Sequence, residues 1–281
     1  MEETRNVIDV SELPELLHCD FFGHKWGRRA GRWILKALGI EEINNLVRRH
    51  GALSGADFAS AVLEDPAVQI RYDIEGEANL RRMAEEESFI TVSNHPFGGL
   101  DGLLLVSIIG AVRKDFKVVV NDILDRVQPL RDSWISVSPS RSINHEAGRN
   151  ISPIIEVARR IKGGHPVGFF PSGTVAKYHI GKGKPIERSW SESSMRIFRA
   201  LQVPVYPVAF SGRNSIPFYI LQTVADTLHG LRLPAEILNK KGQVIHVTIG
   251  EPLTGKDFEG ESSLSEIAAR LRSHTLELVR R

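Results

Sequence analysis

Several features that mark specialised protein classes are rare or missing in this sequence. The chain has one cysteine in 281 residues, Cys19, which excludes a disulfide-stapled scaffold and suits a reducing compartment. Its 24 glycines show no period, so a collagen-like chain is excluded. Lys and Arg number 36 against 34 for Asp and Glu, which leaves none of the basic excess typical of a dedicated nucleic-acid-binding protein. A hydrophobic content of 42% excludes a disordered chain and suits one large domain, with or without a small appendage.

Apolar runs are short as well. Residues 103–112 form the best one, which is about half the ~20 residues that a transmembrane helix needs. Residues 1–10 carry acidic side chains and lack the basic-then-apolar order of a secretory signal. We therefore expect a cytoplasmic protein, and we expect any contact with a membrane to be peripheral and on the inner face of the cell membrane.

The pattern of the chain changes near residue 75. Residues 1–75 are typical of helices, and from about residue 88 short β-branched runs alternate with longer helical stretches, as in an α/β domain. We therefore divide the chain into an N-terminal helical region, residues 1–75, and a larger domain, residues 76–281. The expected fold is a mixed, mostly parallel central sheet flanked by helices. The strand candidates are residues 89–93, 116–121, 134–138, 167–170, 205–210 and 244–249.

Helix boundaries carry their own signals. Ser152 before Pro153 predicts the start of a helix that ends at Gly163. Ser189 and Ser263 are each followed three residues later by a glutamate, which predicts capping boxes at the start of two further helices. These signals place helices between strand candidates, as an α/β fold requires.

Residues 21–40 combine aromatic and basic side chains without any acid. Taken as a helix, the segment has one apolar side and one basic side. Tryptophans beside cations suit the interface of an anionic bilayer, although an ordinary helix packed on its own domain is the alternative. Gly23, Gly27 and Gly31 form a line along which another backbone can come close. The apolar side is Phe22, Trp26, Ala30, Trp33, Ile34, Ala37 and Leu38, and the basic side is Lys25, Arg28, Arg29, Arg32 and Lys36.

The most informative stretch is TVSNHPFGGLDG, residues 91–102, which follows a strand candidate and precedes an apolar helix. Gly98 and Gly99 let the backbone turn sharply near a ligand, and Asp101 falls at an expected helix N-cap. A histidine on such a loop has a pKa suited to a general base. If Asp101 folds back onto His95, it fixes the tautomer of the ring and stabilises the imidazolium. The alternative is that both side chains only cap local structure.

Two later stretches add polar groups at strand ends. Residues 167–174 end in Pro-Ser-Gly-Thr, whose N–H groups and hydroxyls can hold an anion or a polar head group, although a plain turn is the alternative. Residues 203–215 are a buried-looking strand candidate that ends in a polar loop containing Arg213.

The order of these blocks resembles a known family. SNHPFGGLDG (93–102), FFPSGT (169–174) and VPVYPVAFSGRNS (203–215) are similar to blocks of the lysophospholipid acyltransferase superfamily, over roughly residues 75–281. The resemblance is closest to the hemolysin-like, ornithine-lipid and glycine-lipid acyltransferase branch. Shared features are the Gly-Gly pair before Asp101, the GRNS stretch, and LNKKG (238–242) before VIHVTIGEPL.

The resemblance implies acyl transfer from a thioester to the hydroxyl of a lysolipid acceptor. His95 would be the base and Asp101 its orienting partner, with direct attack on the thioester and no bound metal or cofactor. Acyl carrier protein or coenzyme A would carry the donor acyl group, and an anionic membrane surface would be a partner. Backbone N–H groups near Gly98, Gly99 or Gly173 are candidates for stabilising the oxyanion.

The same resemblance supplies a set of substrate-binding candidates. The superfamily's second block usually carries a basic residue for a phosphate, and Arg131 and Arg141 are its loose counterparts here. The candidates are Asn94, Gly98, Gly99, Arg131, Arg141, Pro171, Ser172, Gly173, Thr174 and Arg213.

The sequence departs from the superfamily pattern in two places. Five residues separate His95 from Asp101 where four are usual. Ser172 replaces the glutamate of the usual Phe-Pro-Glu-Gly-Thr, and the loss of that carboxylate favours a single-chain lipid other than lysophosphatidate. An ornithine- or glycine-type lysolipid is therefore the favoured acceptor, and 1-acylglycerol-3-phosphate is the alternative.

Other functions have weaker support. A non-catalytic lipid-binding protein of the same fold fits the two departures from the pattern. A metal-dependent hydrolase would draw on His18, Asp20 and His24, but the sequence has no HExxH motif and no paired ligands at metal-site spacing. A serine hydrolase lacks its G-x-S-x-G elbow.

Overall fold

The centre of the fold is a mixed seven-stranded sheet. The computed structural model describes residues 6–16, 19–137, 153–224, 229–258 and 263–280. The strands are β1 (Arg71–Glu75), β2 (Ile90–Ser93), β3 (Lys117–Asn121), β4 (Trp134–Val137), β5 (Val167–Phe169), β6 (Lys177–His179), β7 (Lys184–Ile186), β8 (Val205–Ser211) and β9 (Val244–Ile249).

The sheet has the order β1-β9-β8-β2-β5-β3-β4, and β6 and β7 pair separately as an antiparallel hairpin. Within the sheet only the β8–β9 pair is antiparallel. The predicted fold class, a mixed and mostly parallel sheet flanked by helices, is therefore confirmed.

Helices cover both faces of the sheet. On one face α6 is apolar all round and almost wholly buried, as a core helix must be, and it packs with α4. On the other face, side chains of α7, α8 and α11 form a second core. The helices are α1 (Leu13–Leu16), α2 (Lys25–Ala37), α3 (Ile40–His50), α4 (Gly55–Glu64), α5 (Glu77–Glu85), α6 (Gly99–Val112), α7 (Pro153–Lys162), α8 (Glu192–Leu201), α9 (Ile216–Val224), α10 (His229–Leu238) and α11 (Leu264–Glu277).

Parallel pairing brings several loops to one edge of the sheet. β2 lies between β8 and β5, and β5 is parallel to β3. The carboxyl ends of these four strands therefore meet, and such an edge is where α/β sheets bind ligands. The loops after β2 and β5 carry the first two sequence blocks to this edge.

Helix α2 packs through its glycines and leaves its tryptophans exposed. A Cβ atom on Gly27 would lie 1.8 Å from Phe21 O, and one on Gly31 would lie 2.7 Å from Leu13 Cδ1. The predicted close approach of another backbone is confirmed at Gly27, whereas the atoms close to Gly31 belong to side chains. Gly23 has open space instead, because it ends a 3-10 turn (Asp20–Gly23) that precedes the helix.

Some predicted boundaries were wrong. Residues 1–75 are not all helical, because β1 lies at their end and pairs with β9. The N-cap of α8 is Ser191 and not Ser189, whereas the capping box at Ser263 is confirmed. Ser152 lies outside the described residues. The domain division at residue 75 stays a prediction, and the core against α6 includes side chains from both sides of it.

Candidate active site

The end of β2 places His95 at the ligand-binding edge of the sheet. Asn94 ties this end to β8: its amide nitrogen donates to Phe210 O at 2.9 Å, and its carbonyl accepts from Phe210 N at 2.8 Å. The Asn94 side chain is thus buried and engaged with backbone. Its predicted role as a substrate contact remains a prediction, but the structure gives it a positioning task.

Asp101 meets His95 from the first turn of α6. Gly98, with a φ of +91°, is the N-cap of α6, so Asp101 is the third helical residue and not the cap that the sequence predicted. Its Oδ2 atom accepts from the N–H groups of Phe97 and Gly98 at 2.9 and 2.8 Å. The same atom lies 2.9 Å from His95 Nδ1. Five intervening residues therefore still bring the two side chains together.

The electrostatics of this pair follow from burial. Burial raises the pKa of Asp101, and His95 together with the N–H groups of Phe97 and Gly98 opposes that rise by favouring the carboxylate. Because Asp101 sits at Nδ1, the other ring nitrogen, Nε2, is left to exchange a proton with a substrate.

Phe170 and Glu187 hold the histidine from two other directions. The Phe170 ring stacks on the His95 ring with centroids 4.2 Å apart and an interplanar angle of 27°. The backbone N–H of His95 donates to Glu187 Oε2 at 3.2 Å, and Trp190 Nε1 donates to Glu187 Oε1 at 3.2 Å. The ring and backbone of His95 are thus both fixed.

Glu187 is a site residue that sequence reasoning missed. It is buried, and burial raises its pKa, although the N–H of His95 favours its charged form. Ser172 lies within hydrogen-bonding reach of its carboxylate and donates to Thr174 O at 2.9 Å. A carboxylate therefore lies next to Ser172, and the effect of the serine on the choice of acceptor stays a prediction. The sequence around Glu187 does not reveal its contact with His95, because the β6–β7 hairpin separates Glu187 from the earlier site residues in the chain.

An apolar cavity of about 610 Å³ opens beside His95. Its walls come from the N-terminal helices, α6, the ends of β3 and β4, and α10. Among the described residues that line it, none is Lys or Arg. Representative lining side chains are Ile8, Ile43, Leu103, Val127, Trp134 and Ile237.

The structure brings some of the predicted site residues to this cavity and leaves others outside. Gly98, Gly99, Pro171, Ser172 and Gly173 line it together with His95. Thr174 does not line it, and Arg131 and Arg213 are exposed elsewhere. Arg141 lies outside the described residues. The binding roles of all these residues stay predictions.

Comparisons with known proteins identify the family of this chain. A family model described as Acyltransferase matches residues 21–280. The chain belongs to this acyltransferase family. The resemblance drawn from the three blocks is thereby confirmed at the level of the family, and the protein is an acyltransferase.

Individual relatives carry more specific names. The acyltransferase is similar to two curated proteins named lyso-glycine lipid O-acyltransferase. The one from Phocaeicola vulgatus is 26% identical over 229 residues, 78% of this chain and 76% of that protein. The one from Bacteroides thetaiotaomicron is 26% identical over 238 residues, 81% of each chain. Among solved structures, the 1-acyl-sn-glycerophosphate acyltransferase PlsC from Thermotoga maritima has a TM-score of 0.48 at 17% identity, covering 89% of this chain and 93% of that one.

The glycine N–H groups of the acyltransferase are not equally available. Gly98 N–H donates to Asp101, and Gly173 N–H donates to Phe170 O at 2.9 Å. These two N–H groups already have acceptors within the fold, and the role of N–H groups near Gly98, Gly99 or Gly173 in stabilising the oxyanion stays a prediction. Gly99 is the first residue of α6, where an N–H has no intrahelical acceptor, and it lines the cavity.

Two blocks that distinguished the branch converge on Phe97. A Cβ on Gly212 would lie 2.4 Å from the Phe97 ring, and Asn214 Nδ2 donates to Phe97 O at 3.3 Å. Lys240 Nζ lies 5.6 Å from the centre of the same ring. The GRNS and LNKKG stretches therefore both contact the loop that links His95 to Asp101.

Two further observations concern the predicted alternatives. In the parts of the chain that the structure describes, no three His, Cys, Asp or Glu side chains are grouped as a metal site requires. His18 of the suggested metal cluster lies outside those parts. No helix there is long and apolar enough to cross a bilayer.

Proposed function

We propose that this acyltransferase moves a fatty acyl group from a thioester to the hydroxyl of a lysolipid. The observation that carries this proposal is the His95–Asp101 pair at the mouth of an apolar cavity. The cavity suits an acyl chain because its lining is dominated by aliphatic and aromatic side chains. The ring nitrogen opposite Asp101 suits the activation of a hydroxyl.

The reaction is a direct transfer. His95 Nε2 takes the proton of the acceptor hydroxyl as its oxygen attacks the thioester carbonyl carbon, and the carbonyl electrons move onto oxygen. The buried Asp101 stabilises the imidazolium that forms. Collapse of the tetrahedral oxyanion breaks the carbon–sulfur bond, and the thiolate leaves and takes the proton back from His95. The products are an ester and a free thiol.

The N-terminus of α6 supplies the charge stabilisation in this scheme. Gly99 N–H is unpaired within the helix, and the helix dipole adds positive potential at the same end. A positioned donor of this kind stabilises an oxyanion more than it stabilises a neutral carbonyl.

The names of the relatives favour a lyso-glycine lipid as the acceptor. Both curated proteins similar to this chain are named for a lyso-glycine lipid. We therefore propose a lyso-glycine lipid as the first acceptor to examine, with a lyso-ornithine lipid and 1-acylglycerol-3-phosphate as competitors. The donor is an acyl thioester of acyl carrier protein or coenzyme A, and the proposal involves no bound metal or cofactor.

Helix α2 supports peripheral docking on the cytoplasmic leaflet. Trp26 and Trp33 are 76% and 72% exposed, and the five cations of the segment are exposed beside them. An ordinary packed helix would bury its tryptophan side, whereas α2 packs through Gly27, Gly31 and Leu35. Aromatic and basic side chains together on a free surface suit an anionic interface.

Vesicle flotation tests the docking. Replacing Arg28, Arg29 and Arg32 by Glu should abolish binding to vesicles that contain phosphatidylglycerol. The matched control replaces Arg159, Arg196 and Arg199, which are exposed on α7 and α8, and should bind as wild type. Intact binding by the first variant would exclude α2 as the docking element.

Product analysis tests the reaction. The purified chain is incubated with palmitoyl-coenzyme A or palmitoyl-acyl carrier protein and each of the three lysolipids, and products are identified by mass spectrometry. We expect an ester of lyso-glycine lipid. Release of free fatty acid without any ester would contradict acyl transfer, and lysolipid binding without consumption of thioester would indicate a non-catalytic lipid-binding protein.

A further inference from the structure

Residues at both ends of the β6–β7 hairpin form hydrogen bonds with the backbone of His95. Ala176, just before β6, donates its N–H to His95 O at 3.0 Å. Glu187, just after β7, accepts the N–H of His95 at 3.2 Å. Residues 177–186 therefore begin and end next to His95, and the hairpin lies at the rim of the active site.

The hairpin carries an exposed apolar tip among cations. Ile180 at its turn is 84% exposed. Residues 177–186 contain three lysines and no acidic residue, and Lys182 and Lys184 are exposed beside the tip. At this exposure Ile180 buries little apolar surface within the described chain.

Helix α9 extends this surface. The Tyr178 ring of the hairpin lies 5.6 Å from the Tyr219 ring of α9, so the two elements adjoin. On α9, Ile216 and Ile220 are 70% and 60% exposed. The hairpin surface, defined as Ile180, Lys182, Lys184, Ile216 and Ile220, is thus an apolar group with a basic edge. Clustered exposed apolar side chains of this kind mark a binding surface.

We propose that the hairpin surface binds the anionic membrane directly and so presents the mouth of the active site to the bilayer. The chemistry is that of an interfacial segment, in which isoleucines enter the headgroup region and lysines contact anionic lipid. Because the proposed acceptor is a membrane lipid, this inference rests on the proposed function. It adds a second contact, next to His95, to the one at α2.

The arrangement of helices favours a bilayer over a protein partner. α9 packs on α10, α10 on α3, and α3 on α2, so a row of packed helices connects the hairpin surface to the exposed tryptophans of α2. Both surfaces combine exposed apolar side chains with exposed cations, and an anionic bilayer is one partner that fits both of them. An acidic carrier protein would match the charge of the hairpin alone, which makes it an outcome of the test.

Vesicle binding of the full chain is the experiment. The hairpin variant carries Ile180→Ser, Lys182→Ser and Lys184→Ser, and the matched control carries Ile155→Ser, Lys162→Ser and Lys256→Ser at other exposed positions. On phosphatidylcholine vesicles containing phosphatidylglycerol, we expect the partition coefficient of the hairpin variant to fall by about tenfold or more. The control should bind as wild type. Acyl transfer to vesicle-embedded lysolipid should fall more than transfer to the same lysolipid in detergent micelles.

Two results would overturn the inference. Wild-type vesicle binding by the hairpin variant would do so, and so would equal loss in the hairpin variant and the control. Unchanged vesicle binding together with a raised KM for acyl carrier protein thioester would assign the surface to the carrier protein instead. Binding needs no turnover, so a chain without acyl transfer but with hairpin-dependent binding would refute the proposed function and keep this inference.

Discussion

Two aspartates in different regions of the molecule, Asp65 and Asp101, are both buried and both contact a histidine. Asp65 follows α4 and lies 2.7 Å from His50 Nε2, at the end of α3. Asp101 lies in the first turn of α6, and its Oδ2 atom is 2.9 Å from His95 Nδ1. The two Asp–His contacts are thus similar in length, and both aspartate side chains are almost inaccessible to solvent. Their surroundings, however, shift the two carboxyl groups in opposite directions.

The shifts differ because Asp101 is buried more deeply and because Asp65 has a guanidinium partner. Burial opposes the charged form of Asp65, but hydrogen bonds from Arg49, from Ala67 N–H and from His50 outweigh it and lower its pKa to about 2. Among the described residues no Lys or Arg contacts Asp101, and burial raises its pKa. Asp65 is therefore held as an anion in a structural crosslink. Asp101 depends on its histidine for compensation, so a positive charge that forms on His95 is stabilised strongly.

Removal of the two histidines should separate these roles most clearly. His95→Ala should lower kcat by about 100- to 10,000-fold, the usual contribution of a general base. His50→Ala should leave kcat of the folded protein unchanged, because His50 lies outside the cavity. Initial rates of thiol release with a saturating lysolipid measure both. Comparable losses in the two variants would show that His95 acts only through stability.

Asp101→Asn should give the next largest effect. The amide removes the charge that stabilises the imidazolium, so kcat should fall by about 100-fold. Asp65→Asn is the matched control and should keep its kcat at temperatures well below its unfolding midpoint. If Asp101→Asn kept wild-type activity, the pair would not be the acid–base centre.

The same two variants should differ in stability. The folded pKa of Asp65 lies below its ordinary value of 3.8, so its carboxylate stabilises the fold above that pH, and the stabilisation is lost as the pH falls towards about 2. Asp65→Asn should therefore lower the free energy of unfolding by about 2 kcal/mol at neutral pH. Denaturant titrations at several pH values measure this. A difference from wild type that persists at the lowest pH would contradict the sign of the shift.

Glu187→Gln should have the smallest effect. The amide oxygen still accepts the N–H of His95, but the amide nitrogen cannot accept from Trp190, so one hydrogen bond is lost. We expect kcat to fall by about fivefold with little change in KM for the lysolipid. A loss as large as that of Asp101→Asn would mean that Glu187 takes part in proton transfer.

Periodicity predicted most of the sheet. Residues 244–249 are β9 as predicted, and the other strand candidates match β2, β3, β4, β5 and β8 closely, because buried parallel strands are short β-branched runs. β1 was missed because RYDIE, at the edge of the sheet, has one β-branched residue and so lacks the apolar run that marks the buried strands. β6 and β7 are exposed and three residues each, so they carry no apolar pattern.

The site was predictable where it is local in sequence. His95 and Asp101 lie in one block, so their meeting follows from a strand, a turn and a helix. Glu187 was not predictable, because it reaches His95 only after the β6–β7 hairpin returns. Arg131 was predicted from its position near a sequence block alone. Such a position does not tell whether the side chain reaches the cavity, and Arg131 does not line it.

The most direct test of His95-dependent acyl transfer follows thiol release and ester formation together, with and without lysolipid. For the wild-type chain the two products should appear one to one, and only when the acceptor is present. His95→Ala should yield neither at a comparable rate. Thiol release without acceptor that leaves an acylated protein, or ester formation by His95→Ala at the wild-type rate, would contradict direct attack by a hydroxyl that His95 deprotonates.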